Sequence, residues 1–198
     1  MTNNRPDRPR RRQACRYLAL PLLFAAAGAP LRAAAAAAPA LAASALERRV
    51  KAAFLYKFLG YADFPPQSFA EAGAPVSIGV VGADDIAAEL VRITAGRNVS
   101  GRPIAVRALR EQDLALPVHL LFVAGQDEAR AARLLRGAAA LLTVTECDEG
   151  APPGSAINFT IVDERVRFDV SLDAAEKKNV KLSSRLLTVA NRVQKGAS

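Results

Sequence analysis

The sequence is poor in the side chains that build most metal and enzyme sites. It has one histidine, two cysteines, one methionine and no tryptophan among 198 residues. A single histidine, His119, excludes a zinc site built on several imidazoles. It lies near the start of the apolar run 118–123, whereas a Ser-His-Asp triad needs its histidine beside an activated serine. We therefore interpret His119 as a neutral, hydrogen-bonded strand residue and not as a general base.

Nucleotide-binding motifs are missing as well. The segment 79–84 (GVVGAD) lacks the third glycine of a dinucleotide fingerprint, and the sequence has no G-x-x-x-x-G-K-[ST] loop. A tight turn is favoured at 79–84, and a weak anion site at the start of the following helix is the alternative. The carboxylates fall at helix starts and turns, where structural roles explain them. The sequence predicts no enzyme, no cofactor and no bound metal.

Positive charge is concentrated at the N-terminus. Six arginines lie between residues 5 and 16, followed by an almost uncharged apolar run, 17–31, and an Ala-rich stretch that ends at Ala43-Ser44-Ala45. Basic, apolar and small-residue regions in this order make up a signal peptide. We predict a signal peptide at residues 1–45, cleaved after Ala45, and a periplasmic domain at residues 46–198.

An uncleaved membrane anchor is the alternative for the same segment. A membrane span needs about 20 predominantly apolar residues, and Pro21, Pro30 and Arg32 interrupt this run. Removing residues 1–45 takes away seven of the 27 Lys and Arg and one of the 19 Asp and Glu, so the net charge falls from +8 to +2. Nucleic acid is therefore not an expected partner, because the basicity belongs to the leader.

The predicted cleavage also separates the two cysteines. Cys15 lies in the predicted signal peptide, so Cys147 is the one thiol of the mature domain, and no disulfide can form within that domain. In an oxidising compartment a lone cysteine is either buried and inert or bridges two chains. The apolar segment that precedes it, 141–145, favours burial.

The mature part alternates between helix and strand patterns. A first helix is predicted over Leu46 to Tyr61, because apolar residues recur at spacings of three and four. The later segments are strands at 75–82, 104–109, 118–123 and 141–145, helices at 86–94 and 128–135, a hairpin of 156–162 with 166–170, and a last helix at 172–194. We predict a single α/β domain: a mostly parallel sheet of about six strands, helices on both faces, and a C-terminal β-hairpin plus helix.

Several segments combine into one recognisable pattern. They are 50–58 (VKAAFLYKF), 78–82 (IGVVG), 99–103 (VSGRP), 119–123 (HLLFV), the hairpin pair 157–159 (INF) and 166–170 (VRFDV), and 182–187 (LSSRLL). Together they resemble the YfiR family of periplasmic proteins, over residues 48 to 193. One departure is Asp63-Phe64-Pro65, where the family usually has tryptophan before proline. A second is the absence of a partner for Cys147, which puts disulfide switching within one chain in doubt.

The resemblance implies an α/β fold, a homodimer and a regulatory role. Such proteins hold an inner-membrane diguanylate cyclase inactive by binding its periplasmic part, and release it under envelope or redox stress. A surface of this kind needs apolar anchors within a polar rim, and we place it on the hairpin and the last helix. Core packing is the alternative for each apolar candidate, and a clasp on a carboxylate is the alternative for Arg185. The candidate contacts with the cyclase, or with another membrane sensor, are Phe159, Phe168, Leu172, Arg185 and Leu186.

A periplasmic small-molecule-binding sensor is the alternative function. Open α/β sheets bind ligands in a crevice at the carboxyl ends of their strands. In this sequence Gly82, Asp84 and Gly125 follow two predicted strands and would line such a crevice.

Overall fold

The structure, a computed structural model, describes residues 30–195, with side chains from residue 42 onward. Most of the predicted signal peptide therefore lies outside the described residues, and its cleavage stays a prediction. The contacts separate two units, Met1–Ala38 and Pro39–Ser198. The second unit holds the sheet and every site discussed below.

Helices and strands alternate through most of the described chain. The helices are α1 (Pro30–Tyr61), α2 (Asp84–Thr94), α3 (Glu128–Gly137), α4 (Leu172–Glu176) and α5 (Ser184–Val189). The strands are β1 (Ala62–Asp63), β2 (Val76–Val81), β3 (Asn98–Val99), β4 (Arg102–Leu109), β5 (Val118–Val123), β6 (Ala140–Thr145), β7 (Ile157–Val162), β8 (Arg165–Ser171), β9 (Lys181–Leu182) and β10 (Arg192–Gln194).

The main sheet has eight strands in the order β10-β8-β7-β6-β5-β2-β4-β3. Its centre, from β7 to β4, is parallel, and β10 is parallel to β8. The β7–β8 hairpin and the β3–β4 pair are antiparallel. The α/β class is thus confirmed, whereas the prediction of about six mostly parallel strands is wrong. The sheet is mixed and larger, because the hairpin joins it and the short strands β3 and β10 extend both edges.

Helices cover both faces of this sheet, as predicted. On one face α1 and α2 pack against the strands through residues such as Leu55 and Leu90. On the other face α3 packs through Leu134 against Leu121. All six residues of β5 are buried, which is the pattern of a parallel strand covered on both sides.

Two glycines of β2 and its following turn have clear structural roles. Gly79 lies within the strand, where an added Cβ would come within 2.6 Å of the Leu109 Cδ1 atom. Gly82 has a φ of 80°, which favours glycine because it has no Cβ to clash. The tight-turn interpretation of segment 79–84 is confirmed. The α2 N-cap is Ala83, and no side chain caps this helix.

The long C-terminal helix predicted at 172–194 does not form. The segment instead contains α4, β9, α5 and β10. Asn179 has a φ of 56°, a left-handed conformation in which a helix ends. Ser183 then caps α5 by accepting a hydrogen bond from the backbone N–H of Arg185 at 3.3 Å. The helical spacing of apolar residues in this segment arises from short elements: α4 and α5 each bury one side chain, Ala175 and Leu186, and β9 and β10 bury none.

Strands β1 and β9 connect the end of α1 to the C-terminal region. Ala62 pairs with Leu182 in an antiparallel two-stranded sheet. Beside this pair, the backbone N–H of Ser183 donates to the carbonyl of Tyr61 at 2.8 Å. Residues more than 100 positions apart in the sequence therefore share one hydrogen-bonded contact.

Candidate functional site

A crevice lies where the carboxyl ends of β2 and β5 meet. β2 continues through α2 to β4 on one side, and β5 continues through α3 to β6 on the other. Loops that leave neighbouring strands in opposite directions create a gap, and open α/β sheets bind ligands in such gaps. The observed crevice has a volume of about 500 Å³, and its lining includes Gly82, Gly125 and Asp85. Two of the three predicted residues are therefore present, and Asp85 takes the place of Asp84.

A buried ion pair fills the polar part of this crevice. Lys51 Nζ of α1 donates to Glu146 Oε2 at 2.6 Å and to Glu47 Oε1 at 2.5 Å. The Lys51 side chain is only 9% exposed. Burial by itself lowers the pKa of the Lys51 ammonium, but the two carboxylates outweigh that effect and hold its pKa above the ordinary value. The other oxygen of Glu146, Oε1, accepts the backbone N–H of Gly125 at 2.7 Å.

The other basic groups of the crevice are also engaged within the chain. Arg48 pairs with Asp85 at 2.7 Å, and Arg130 pairs with Glu111 at 2.8 Å while donating to the carbonyl of Ala124. The carboxylate of Glu146 thus occupies the place where an anionic ligand would meet a backbone N–H group. This geometry gives the small-molecule alternative no free donor at Gly125.

The predicted partner contacts divide into core and surface residues. Phe159 and Phe168 are 2% exposed and Leu186 is 1% exposed, so none of these three can touch a partner in this conformation. Phe159 and Phe168 pack instead against Phe58 of α1, with ring centroids 5.8 and 5.0 Å away. Leu172 is half-buried, and Arg185 is exposed with no salt bridge among the described residues.

An apolar groove lies beside this aromatic cluster, between α1 and the tip of the β7–β8 hairpin. Its apolar lining includes Leu46, Val50, Ile161 and Val166. Ala43 and Ser44, which the predicted cleavage removes, also line it, and the volume with them present is about 730 Å³. We call it the hairpin groove. Leu46 is 63% and Ile161 is 51% exposed. Charged residues Glu47, Glu164 and Arg165 also line it, which gives an apolar floor with a polar rim.

The hairpin groove has a simple origin in the sequence. Leu46, Val50, Phe54 and Phe58 recur every four residues and share one face of α1. Along β7, Ile161 lies on the same face as Phe159, because side chains alternate. The two apolar stripes continue past the end of the core, where nothing among the described residues covers them. The sequence analysis placed the contact surface on the hairpin and the last helix, but it chose Phe159 and Phe168 on the hairpin and did not include Ile161 or the start of α1.

A family model described as YfiR/HmsC-like matches residues 48–191, well over half of the chain. The chain belongs to the YfiR/HmsC-like family. The resemblance read from the sequence is confirmed, and membership points to regulation of a diguanylate cyclase. No curated protein matches the chain. Within the described residues, no helix combines the length and the apolar character that a membrane crossing requires.

In this YfiR/HmsC-like protein, the phenylalanine that departs from the family pattern has a defined place. Phe64 meets the ring of His119 edge-on, with centroids 5.4 Å apart. His119 itself is 8% exposed and is hydrogen-bonded to Ser77. Burial and the charge of Arg102 lower its pKa. The interpretation of His119 as a neutral strand residue is confirmed.

Cys147 of this YfiR/HmsC-like protein is buried, as predicted. It is 1% exposed, and its Sγ lies 3.8 Å from the carbonyl oxygen of Gly125. Burial raises the pKa of the Cys147 thiol, and nearby carboxylates raise it further. Because the thiolate is the reactive form, both factors reduce its reactivity.

We expect Cys147 to resist thiol reagents until the domain unfolds. In the Cys15→Ser variant of the full chain, labelling by an aromatic disulfide at pH 8 should be at least roughly 100-fold slower in the native state than in urea, because an opening of about 3 kcal/mol must come first. The matched control is the additional substitution Leu116→Cys at a 45% exposed site, which should label at once. Equal rates at the two sites would contradict the burial of Cys147.

Proposed function

We propose that this protein is a periplasmic regulator that inhibits an inner-membrane diguanylate cyclase by binding its periplasmic region. The match to the YfiR/HmsC-like family over residues 48–191 carries the proposal. The order of basic, apolar and small residues at the N-terminus supports export. We further propose that the protein acts by binding alone and not by catalysis.

The hairpin groove is the surface that best suits such binding. Protein interfaces depend on a few apolar anchors, surrounded by polar residues that exclude water. Ile161 and Leu46 supply exposed anchors, and Glu164 and Arg165 supply charges of both signs beside them. Arg185, at the start of α5, is the polar residue among the contacts predicted from the sequence, and we keep it as a candidate contact because it is exposed.

We expect Ile161→Asp to abolish inhibition without unfolding the protein. Truncating an interface anchor costs about 2 kcal/mol or more, which weakens binding roughly 30-fold, and a buried carboxylate adds a desolvation cost. In cells that lack the chromosomal copy of this protein, wild type should lower cyclic di-GMP and Ile161→Asp should leave it high. Cyclic di-GMP is measured by mass spectrometry of cell extracts.

The matched control is Val91→Asp on α2. Val91 is an exposed apolar residue of similar exposure, 55% against 51% for Ile161, and it lies outside the hairpin groove. It should inhibit like wild type. If Ile161→Asp inhibits as well as Val91→Asp, the contact surface does not include the hairpin groove. The proposed function is refuted if wild type changes no cyclic di-GMP level and retains no cyclase from solubilised membranes.

A further inference from the structure

The side chain of His119 lies at the N-terminal end of the paired part of β2 and β5 and hydrogen-bonds the residue before it on β2. The backbone pairing of these strands begins at Ile78 with Leu120. One residue earlier, the backbone N–H of Ser77 donates to His119 Nδ1 at 3.1 Å, and Ser77 Oγ lies 2.9 Å from the same nitrogen. Ser77 Oγ also accepts the backbone N–H of His119 at 3.2 Å. An N–H donor from Ser77 requires that Nδ1 carry no proton.

The ring of His119 also supports the chain between β1 and β2. Phe69 stacks on it with centroids 4.4 Å apart, and Phe64 packs edge-on. Arg102 lies over the Phe69 ring at 3.9 Å and donates to the carbonyl of Ala74 at 3.0 Å. We call residues 64–74 the aromatic segment. It is attached to the sheet through the column of Arg102, Phe69 and His119.

The charges around His119 oppose a proton on the ring. Burial lowers the pKa of His119 most, and the guanidinium of Arg102 on β4 lowers it further, while a hydrogen bond with the backbone of Ser68 acts in the opposite direction. Among the described charged side chains, Arg102 is the one that acts on the ring. Ser77 on β2 faces it with a hydroxyl, and the aromatic segment faces it with two phenyl rings.

We propose that His119 is an acid-sensitive latch, whose protonation detaches the aromatic segment from the sheet. A proton on Nδ1 would set two donors, the imidazolium N–H and the Ser77 backbone N–H, against each other. It would also bury a positive charge beneath the Phe69–Arg102 stack. The aromatic segment follows directly on β1, which pairs with β9, so its release reaches the C-terminal region that holds Arg185. The latch is independent of which partner the protein binds.

The direction of the pH effect follows from the neutral folded form. Because the pKa of His119 is lower in the folded protein than in an opened one, protons favour opening. The attachment is complete above the ordinary histidine pKa of about 6.5 and weakens as the pH falls from there through the lower folded pKa. Between those two values, the opened fraction should rise roughly tenfold for each pH unit.

The test uses the fact that His119 is the only histidine of the chain. In the full chain, its imidazole NMR signals give one unambiguous titration curve, and hydrogen exchange, corrected for the intrinsic pH dependence, gives the opening of the aromatic segment. We expect exchange in residues 64–74 to increase as the pH falls from 7.5 to 5, starting near pH 6.5 and levelling off at the imidazole midpoint, while α3 stays unchanged.

The matched variant is His119→Asn, since its Oδ1 is bonded to Cγ as Nδ1 is and can still accept the Ser77 N–H, but does not titrate. Its aromatic segment should exchange equally at both pH values. The proposal is overturned if the variant shows the same acid response as wild type, or if the wild-type imidazole titrates without any change in residues 64–74. If the variant does not fold, the wild-type protein alone tests the proposal, through the comparison of the imidazole titration with the pH dependence of hydrogen exchange in residues 64–74.

Discussion

Replacing Asn158 by alanine should lower the free energy of unfolding by about 3–5 kcal/mol. Asn158 is 1% exposed, and its Oδ1 accepts from the Thr145 hydroxyl at 2.7 Å and from the Cys147 backbone N–H at 2.9 Å. Its Nδ2 donates to the Cys147 carbonyl at 2.9 Å. Alanine would leave the backbone N–H and carbonyl of Cys147 without their partner, and each unsatisfied group costs about 1–3 kcal/mol. The Thr145 hydroxyl would lose one hydrogen bond and keep Ser155 Oγ at 2.8 Å.

The large effect reflects the place of Asn158 in the sheet. β6 and β7 share only two paired positions, Val144 with Ile157 and Thr145 with Asn158. After these two positions, the Asn158 side chain forms hydrogen bonds with the backbone N–H and carbonyl of Cys147, where the two strands no longer pair. It therefore joins the parallel centre of the sheet to the hairpin.

Urea unfolding followed by circular dichroism measures the change. Asn98→Ala is the control, because Asn98 is exposed on the edge strand β3, and surface substitutions stay within about 0.5 kcal/mol. A loss below roughly 1 kcal/mol for Asn158→Ala would show that water or a shifted strand satisfies the two Cys147 groups.

Replacing Lys51 by methionine should cost about 3–5 kcal/mol of stability, because it removes one partner of a buried ion pair. Glu146 is 17% exposed and would lose its ammonium partner. The double variant Lys51→Met with Glu146→Gln should recover part of this loss. The glutamine carries no charge and keeps an oxygen for the Gly125 N–H.

The same pair predicts a pH dependence at the alkaline end. The folded pKa of Lys51 is raised, so its contribution is complete below the ordinary lysine pKa of 10.5 and is lost as the pH rises through the higher folded value. The stability difference between wild type and Lys51→Met, measured by urea unfolding, should be constant from pH 7 to 10 and shrink above that. A difference that already shrinks between pH 7 and 9 would assign the effect to another group.

The central part of the fold could be predicted because its signals are local. The continuous apolar run at 118–123 gave the bounds of β5 as observed, since a strand buried on both faces needs no alternation. The turn after β2 was predicted for a similar reason, because Gly82 adopts a φ that few other residues tolerate.

The C-terminal region could not be predicted in the same way. Leu182 and Leu186 have helical spacing, yet tertiary pairing places Leu182 in β9 opposite Ala62. A partner so distant in sequence leaves no local trace. The candidate contacts show the same limitation. Phe159 and Ile161 lie on one face of β7, but Phe58 of α1 covers Phe159, whereas Ile161 stays exposed.

The pairing of β1 with β9 sets an order in which this protein can assemble. The outermost strand on the hairpin side, β10, consists of residues 192–194, and the end of α1 is tied down only when residues 182 and 183 arrive. A chain still emerging from the ribosome lacks both closures until residues 181–194 are available. Among the described residues, the β1–β9 pair and the edge strand β10 are therefore the last pairings that the growing chain can form, after the parallel centre of the sheet.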